Sequence, residues 1–279
     1  KDVIKETADR LGLKTIAFEK DYVTYARWEK LKERFSGQEL IGVSGWVEEL
    51  RAVKSEQEIE FIAKAQSIAD EAFSRLLPLI KPGVTEIDLA LELEFTMRKL
   101  GSEGVAFPFI VVSGVRSSLP HGVPTRKQLE PGDFVTLDFG ARCNGYCSDM
   151  TRTVVVGHAS DRHKEIYDVV LRAQLAALEV IRPGIPAREV DLAGRRVIEE
   201  AGYGEYFGHG IGHGVGLNVH EKPAVGKTSE DMLEPGMVIT VEPGIYIPGF
   251  GGVRIEDLVV VTEDGKKNLT SSQKQLIVV

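Results

Sequence analysis

Apolar residues at helical spacing open the long C-terminal part of the chain: Ile59, Ile62, Ala65, Ala69, Ala72, Phe73 and Leu76. Ser55-Glu56-Gln57-Glu58 precedes them in the form of a capping box, which fixes where the helix begins. A second helix is predicted over Thr85–Gly101, with Thr85 as N-cap, Asp88 three residues on and Gly101 as its stop. The pattern then changes to that of strands. DFVTLDFGARCNGYCSDMTRTVVV (133–156) reads as a hairpin around Asn144-Gly145, the strongest two-residue turn signal. With those two residues as the loop, Asp138 faces Thr151, and Asp149 lies on the same face of the ribbon. Diagonal neighbours of that kind sit about 7–8 Å apart.

The order then repeats. Helices are predicted from about Ser160 to Ile181 and from Ala187 to Gly202, followed by LEPGMVITVEPG (233–244). That segment matches LEPGDFVTLDFG (129–140), and upstream LLPLIKPGVTEIDLALE (76–92) matches ALEVIRPGIPAREVDLAGR (177–195). Each half therefore runs helix, helix, strand, acid, strand. A repeat of about 100 residues exceeds solenoid periods and suggests an α+β fold of two half-domains facing across a cleft. The paired acids Asp138 and Glu242 fall at equal places, although acids are depleted in strands and expensive when buried alone. Continuing the duplication gives each a mate, Asp149 and Glu256, so four carboxylates are expected to converge.

Residues 1–54 differ. Val3–Leu11 and Asp21–Phe35 read as helices, with Thr15–Phe18 and Leu40–Val43 as strands. A fragment of this size cannot bury both faces of its own sheet. It is expected to complete an α/β domain begun upstream, which puts the domain division at 1–54 and 55–279. The chain opens at Lys1 with no initiator Met and no signal-like segment.

Composition narrows the function. Of 279 residues 43% are hydrophobic and 27% charged, with a net charge of −8, an ordinary globular balance that argues against a nucleic-acid partner. No apolar run approaches the roughly 20 residues that span a bilayer. Two cysteines, Cys143 and Cys147, make neither a disulfide framework nor a zinc site; reduced thiols in a cytoplasmic protein are expected.

Between the acid pairs lies GHGIGHGVGLNVHE (208–221), with His209, His213 and His220, a cluster with no partner at the same place in the first half. Carboxylates with one or two imidazoles suit two Mn²⁺, Co²⁺, Fe²⁺ or Zn²⁺ ions about 3.5–4 Å apart, and so metal-assisted hydrolysis. Simpler roles compete at single positions. His158 and His163 are expected to be solvated surface groups, and Asp257 to be structural. His209 suits packing as well as catalysis. Arg254, on the face of Glu256, could orient a ligand carboxylate or bind substrate. His121, in the loop SGVRSSLPHGVP (113–124), looks locally like an exposed loop histidine.

Taken together, LPHG (119–122), TLDFG (136–140), CSDMTRT (147–153), HGIGHGVGLNVHE (209–221), VEPGIYI (241–247) and GGVRIED (251–257) resemble the aminopeptidase P, prolidase and methionine aminopeptidase superfamily, over about residues 51–279. The resemblance implies the pita-bread fold. It also implies a dinuclear site of Asp138, Asp149, His213, Glu242 and Glu256, most simply with Mn²⁺. His121 and His220 would then act on the substrate side, and Glu242 would double as acid and base. Residues 1–54 resemble the N-terminal domain of proline-directed members and of creatinase, which implies small peptide substrates with proline second and a homodimer. Dipeptidase-type members often carry an Arg just after the third histidine; here HEKPAVGK (220–227) has Lys222 and Ala224. That departure favours an Xaa-Pro aminopeptidase over an Xaa-Pro dipeptidase. A non-catalytic peptide-binding protein on the same scaffold is the more distant alternative.

Overall fold

The computed structural model describes residues 2–279. The chain divides into two compact units, one ending at Leu50 and the other running from Arg51 to Val279. In the first, α1 (Val3–Arg10), β1 (Thr15–Glu19), α2 (Tyr25–Arg34) and β2 (Glu39–Val43) follow in order, and β1 pairs in parallel with β2. Helix α2 begins four residues later than its apolar pattern suggests because Thr24, not Asp21, caps it: its side chain accepts from the Arg27 N–H. Phe18 of β1 stacks on Trp28 of α2 at 4.9 Å. A further helix that the pattern did not predict, α3 (Trp46–Ala52), runs past the end of this unit.

The larger unit opens with α4 (Glu56–Leu76) and α5 (Glu86–Lys99), whose capping boxes are Ser55 with Glu58 and Thr85 with Asp88. Helix α4 turns Ala65, Ala69, Ala72, Phe73 and Leu76 into one core with α5 and the strands β3 (Ile110–Ser113), β4 (Phe134–Phe139), β5 (Arg142–Cys143) and β7 (Met150–Val155), while its Ile62 packs with Cys147 of β6 (Tyr146–Cys147). In the second half α6 (Asp161–Val180) and α7 (Arg188–Glu200) precede β8 (Gly212–Gly214), β9 (Glu221–Val225), β10 (Val238–Val241), β11 (Gly244–Ile247), β12 (Gly251–Arg254), β13 (Asp257–Thr262), β14 (Gly265–Asn268) and β15 (Ile277–Val278). Burying a Leu, Ile or Phe contributes about 1.5–3 kcal/mol, so each helix pair is held to its sheet by a continuous apolar face.

Each half is built on a long two-stranded ribbon, broken once. In the first half Asp138 pairs with Thr151 and Arg142 with Cys147, so one register runs through both segments. Asn144 (φ 49°) and Gly145 (φ 81°) close it with positive φ at both positions, the condition for a type I′ hairpin. In the second half Val241 pairs with Asp257, and Gly244 with Arg254, again in one register. Glu242 and Glu256 fall in the break between the two segments, directly opposed. Strand β3 lies beside β4 in a four-stranded sheet (β15-β7-β4-β3), and β8 beside β10 in a five-stranded one (β14-β13-β10-β8-β9).

Cys143 and Cys147 are buried and free. His158 is exposed, as expected, but His163 is not a solvated group. Its ring lies edge-on to Phe134 at 4.6 Å and stacks on Phe250 at 5.2 Å, while Nδ1 meets the Ser160 hydroxyl at the start of α6. A helix-start pattern reveals exposure along the helix but not an aromatic neighbour arriving from elsewhere in the chain.

Candidate metal centre

The breaks in the two ribbons bring acids to one place. Asp149 precedes β7, Asp138 is the penultimate residue of β4, and Glu242 and Glu256 follow and precede β10 and β13. These four line one cavity of about 470 Å³ together with His121, His209, His213, His220 and Arg254. Every residue that the sequence singles out for the site therefore reaches the same cavity. Phe107, Pro108, Phe109, Ile110, Val123 and Val219 supply its apolar wall.

His213 enters on β8, at a bulge between His213 and Gly214 that interrupts pairing with β9 and re-aims the side chain. Its neighbours must be glycine: a Cβ on Gly212 would lie 2.1 Å from the Thr240 carbonyl oxygen, and one on Gly214 2.1 Å from that of Lys222. The backbone N–H of His213 donates to Thr240 Oγ1 (3.0 Å), and the Thr240 hydroxyl donates to Glu242 Oε1 (3.2 Å). His213 Nδ1 donates to the Gly214 carbonyl (3.0 Å), which leaves Nε2 as the free ligand atom. That atom faces Asp149 Oδ2 at 3.5 Å and Glu242 Oε1 at 3.4 Å. Burial lowers the pKa of this imidazole and keeps it neutral, the form that binds metal.

The carboxyls show the strain of four acids in one buried place. Burial, then repulsion from Glu256, Asp138 and Glu242, raises Asp149 well above the carboxylate range; burial, then Glu242 and Asp138, does the same to Glu256. Burial also raises Asp138, and lifts Glu242 to about 7. Such a cluster needs protons or a cation. Asp138 Oδ1, Asp149 Oδ1 and Glu256 Oε1 are buried without a hydrogen-bond partner, and each is an open acceptor. Asp149, His213 and Glu256 each offer one ligand atom within 4.8 Å of one another. A set of hard carboxylate oxygens with one imidazole fits divalent ions such as Mn²⁺ or Zn²⁺.

Arg254, fully buried among these acids, spends its donors inside the protein. It donates to Asp138 Oδ2 (2.5 Å), Thr151 Oγ1 (3.0 Å), the Tyr246 hydroxyl (2.9 Å) and the Pro120 carbonyl (3.3 Å). The Thr151 hydroxyl donates onward to Glu256 Oε2 (2.6 Å). Tyr246 donates to His209 Nε2 (2.9 Å), and His209 Nδ1 donates to the Gly210 carbonyl (2.7 Å). Donors thus run one way from Arg254 through Tyr246 to His209, and every group on the path is satisfied. Burial pushes Tyr246 up to about 12 and His209 down to about 4, so both are neutral near pH 7. His209 is bound into this chain as well as packed edge-on to Phe207. The sequence marks Thr151 only as the residue opposite Asp138 and does not mark Tyr246, although Tyr246 stands four residues beyond Glu242, on the same face of the ribbon.

Asp257 turns away, as its neighbouring position implies. It is buried on Arg152 (2.8 Å), Lys274 (2.7 Å) and Asn268 (2.6 Å). His220 is exposed at the cavity, its ring 4.2 Å from that of His213. His121 is exposed there too. The three-histidine cluster has no match at the same place in the first half, yet each half sends one exposed histidine to the cavity. His121 follows β3 in the loop that corresponds to the one after β8, where His220 stands. The offset between the two loops differs, so no residue-by-residue match of the sequences exposes it.

Comparison with known proteins decides the family. The model of metallopeptidase family M24 matches residues 60–263, and that of the creatinase/prolidase N-terminal domain matches residues 1–53. The chain belongs to metallopeptidase family M24. It is 47% identical over 266 residues to the Xaa-Pro dipeptidase of Pyrococcus horikoshii, covering 95% of this chain and 76% of that one. Among solved structures, an Xaa-Pro dipeptidase from Bacillus anthracis superposes with a TM-score of 0.97 at 51% identity, covering 100% of this chain and 78% of that one. The X-Pro aminopeptidase from Thermotoga maritima superposes with a TM-score of 0.95 at 44% identity, covering 100% and 79%. The M24 chain thus has the α+β pita-bread fold and is a proline-directed metallopeptidase. Among its described residues no helix is long and apolar enough to cross a membrane.

Proposed function

We infer that this M24 chain is an Xaa-Pro dipeptidase that uses two divalent ions, most simply Mn²⁺. What carries the metal reading is the convergence of Asp138, Asp149, His213, Glu242 and Glu256 on one cavity with three buried carboxylate oxygens left open. The dipeptide preference replaces the aminopeptidase expected from Lys222 and Ala224. Relatives named Xaa-Pro dipeptidase, from Pyrococcus and from Bacillus anthracis, support it at about half identity. The aminopeptidase reading keeps the Thermotoga relative and the missing arginine in its favour.

Bound divalent ions would polarise the scissile carbonyl and lower the pKa of water. Glu242, held by the Thr240 hydroxyl beside His213, would take the proton of the attacking water and return it to the departing proline nitrogen. His121 and His220, on the two exposed loops of the cavity, would donate to the oxygen that gains charge. Arg254 would keep Asp138 ionised and oriented. The apolar wall of Phe107, Phe109 and Val123 suits a proline ring. Residues 1–54 are read as part of a creatinase-type N-terminal domain, and the enzyme as a cytoplasmic homodimer.

The deciding experiment compares Mn²⁺-dependent hydrolysis of alanyl-proline with that of alanyl-prolyl-alanine. Faster cleavage of the dipeptide is expected. Turnover of the tripeptide alone would return the assignment to an aminopeptidase, and two metal ions bound per chain without hydrolysis of either peptide would favour a binding protein.

A further inference from the structure

The two exposed histidines stand on irregular loops, and something must hold those loops to tolerances that chemistry requires. For His121 the holder lies outside the metal centre. Glu86, the first residue of α5, is fully buried, and its carboxylate is surrounded by donors from both stems of the loop. On the outgoing stem Oε1 accepts from the Ser113 N–H (2.7 Å) and hydroxyl (2.9 Å). On the returning stem Oε2 accepts from the Thr125 N–H (3.0 Å) and hydroxyl (2.7 Å). Arg116, inside the loop, donates to Oε2 at 3.2 Å, and its other end donates to the Val123 carbonyl at 2.7 Å.

The backbone of α5 closes the same junction from the other side. A helix start leaves its first N–H groups without partners. Here Glu86 N–H donates to the Lys127 carbonyl (3.1 Å) and Ile87 N–H to the Thr125 carbonyl (3.1 Å), while Thr85 takes the next two. One buried carboxylate therefore ties residues 113, 116 and 125 to a helix end, with His121 on the span between them. A carboxyl group so deep is tolerated only because its oxygens are filled by donors.

The second half has an arrangement of the same kind at a different place. Asp191 of α7, also fully buried, accepts from the Ile211 N–H (3.0 Å) and from Arg195 (2.7 and 2.9 Å). Arg195 in turn donates to the carbonyls of Phe207 (3.1 Å) and His209 (2.7 Å). In each half, then, a carboxylate near the start of the second helix works with an arginine to hold a histidine-bearing segment.

We propose that Glu86 is a positioning residue for the peptidase reaction, acting through Ser113, Arg116 and Thr125 to fix His121 over the metal centre. The proposal rests on the substrate-side role given to His121. Glu86→Gln puts an amide N–H₂ among donors, and kcat for alanyl-proline with Mn²⁺ is expected to fall about tenfold, as for a catalytic group displaced by less than 1 Å. KM should change less than twofold, and elemental analysis should find the wild-type metal content. In a His121→Ala background, Glu86→Gln should cost nothing more. Losses that multiply in the double variant, or full activity of Glu86→Gln, would overturn the proposal.

If Glu86→Gln fails to fold, Ser113→Ala and Thr125→Val test the same point. Each removes one hydroxyl donor and leaves Arg116 and both backbone N–H groups; a loss of about threefold that vanishes beside His121→Ala is expected. Hydrogen exchange reads the clamp without substrate: amides of 114–124 should exchange at least about tenfold faster in Glu86→Gln. Unaltered exchange would overturn the proposal even if activity fell. Undiminished turnover by His121→Ala alone would instead remove the role of His121 itself.

Discussion

Pairing along β4 and β10 sets the two halves against each other residue by residue. Val112 lies across from Thr136 in the first, and one step along the ladder from the Gly214–Ile239 pair His213 lies across from Thr240 in the second. The same threonine of the duplicated segment thus does different work. Thr136 turns its hydroxyl to Thr153 (3.1 Å) and to the Gly252 carbonyl, joining strands. Thr240 accepts from the N–H of a histidine and donates its own hydroxyl to Glu242. The acids differ as well. Asp138 and Asp149 sit diagonally on their ribbon, whereas Glu242 and Glu256 oppose each other across the break. Both halves bring carboxylates, and the imidazole of His213 stands in the second half where the first has the buried Val112.

The sharpest way to break that comparison is His213→Ala, which reduces the second half to the character of the first. Metal-dependent cleavage of alanyl-proline should fall by at least ~10³-fold, with bound metal lost by elemental analysis. Asp149→Asn should do the same from the other half. Retained metal and activity in either variant would dissolve the shared centre.

Four acids raised together give a pH signature. Their folded-state pKa values lie above the unfolded ones, so the stability they contribute is present below about pH 4, where both states are protonated, and is lost as pH rises through the folded values, near 7 for Glu242. The metal-free protein should therefore melt lower at pH 8 than at pH 5, by ~5 °C or more, and Mn²⁺ should restore more at pH 8. A melting temperature that rises with pH in the metal-free state would contradict the buried cluster.

Tyr246→Phe cuts the one-way path between Arg254 and His209, which belongs to the second half alone. A fall of about tenfold in kcat with normal metal content is expected, since one hydrogen bond of a buried network is lost at each neighbour. Smallest of all, Gly145→Ala strains the turn of the first-half ribbon at φ 81°, and should cost about 1 kcal/mol by urea titration with turnover unchanged.

Much of this was legible in the chain because duplication wrote it twice. The two capping boxes, the Asn-Gly turn and the strand period together set the register that puts Asp138 opposite Thr151. The four acids followed from matching Glu-Pro-Gly turns. What escaped was long range. His163 packs on Phe250, 87 residues on; Arg152 reaches Asp257, 105 residues on; and Glu86 gathers a loop 27 to 39 residues away. Partners like these are decided by how sheets lie together, which no local period encodes. The choice between dipeptidase and aminopeptidase rested on one absent arginine, a single position in a chain that is similar along its whole length to named proteins of both kinds.

The end of the chain adds one more lesson. After β14 the backbone leaves the second half, gives the N–H groups of Ser271 and Ser272 to Asp70 on α4, gives the carbonyls of Ser272 and Gln273 to the buried Arg152, and ends as β15 alongside β7. The later repeat thus finishes the sheet of the earlier one. Pulling the tail away would strip β15 from the sheet of the first half and Lys274 from Asp257 in the second, so the tail couples the two copies. Residues 51–279 should melt in a single cooperative transition despite their internal symmetry.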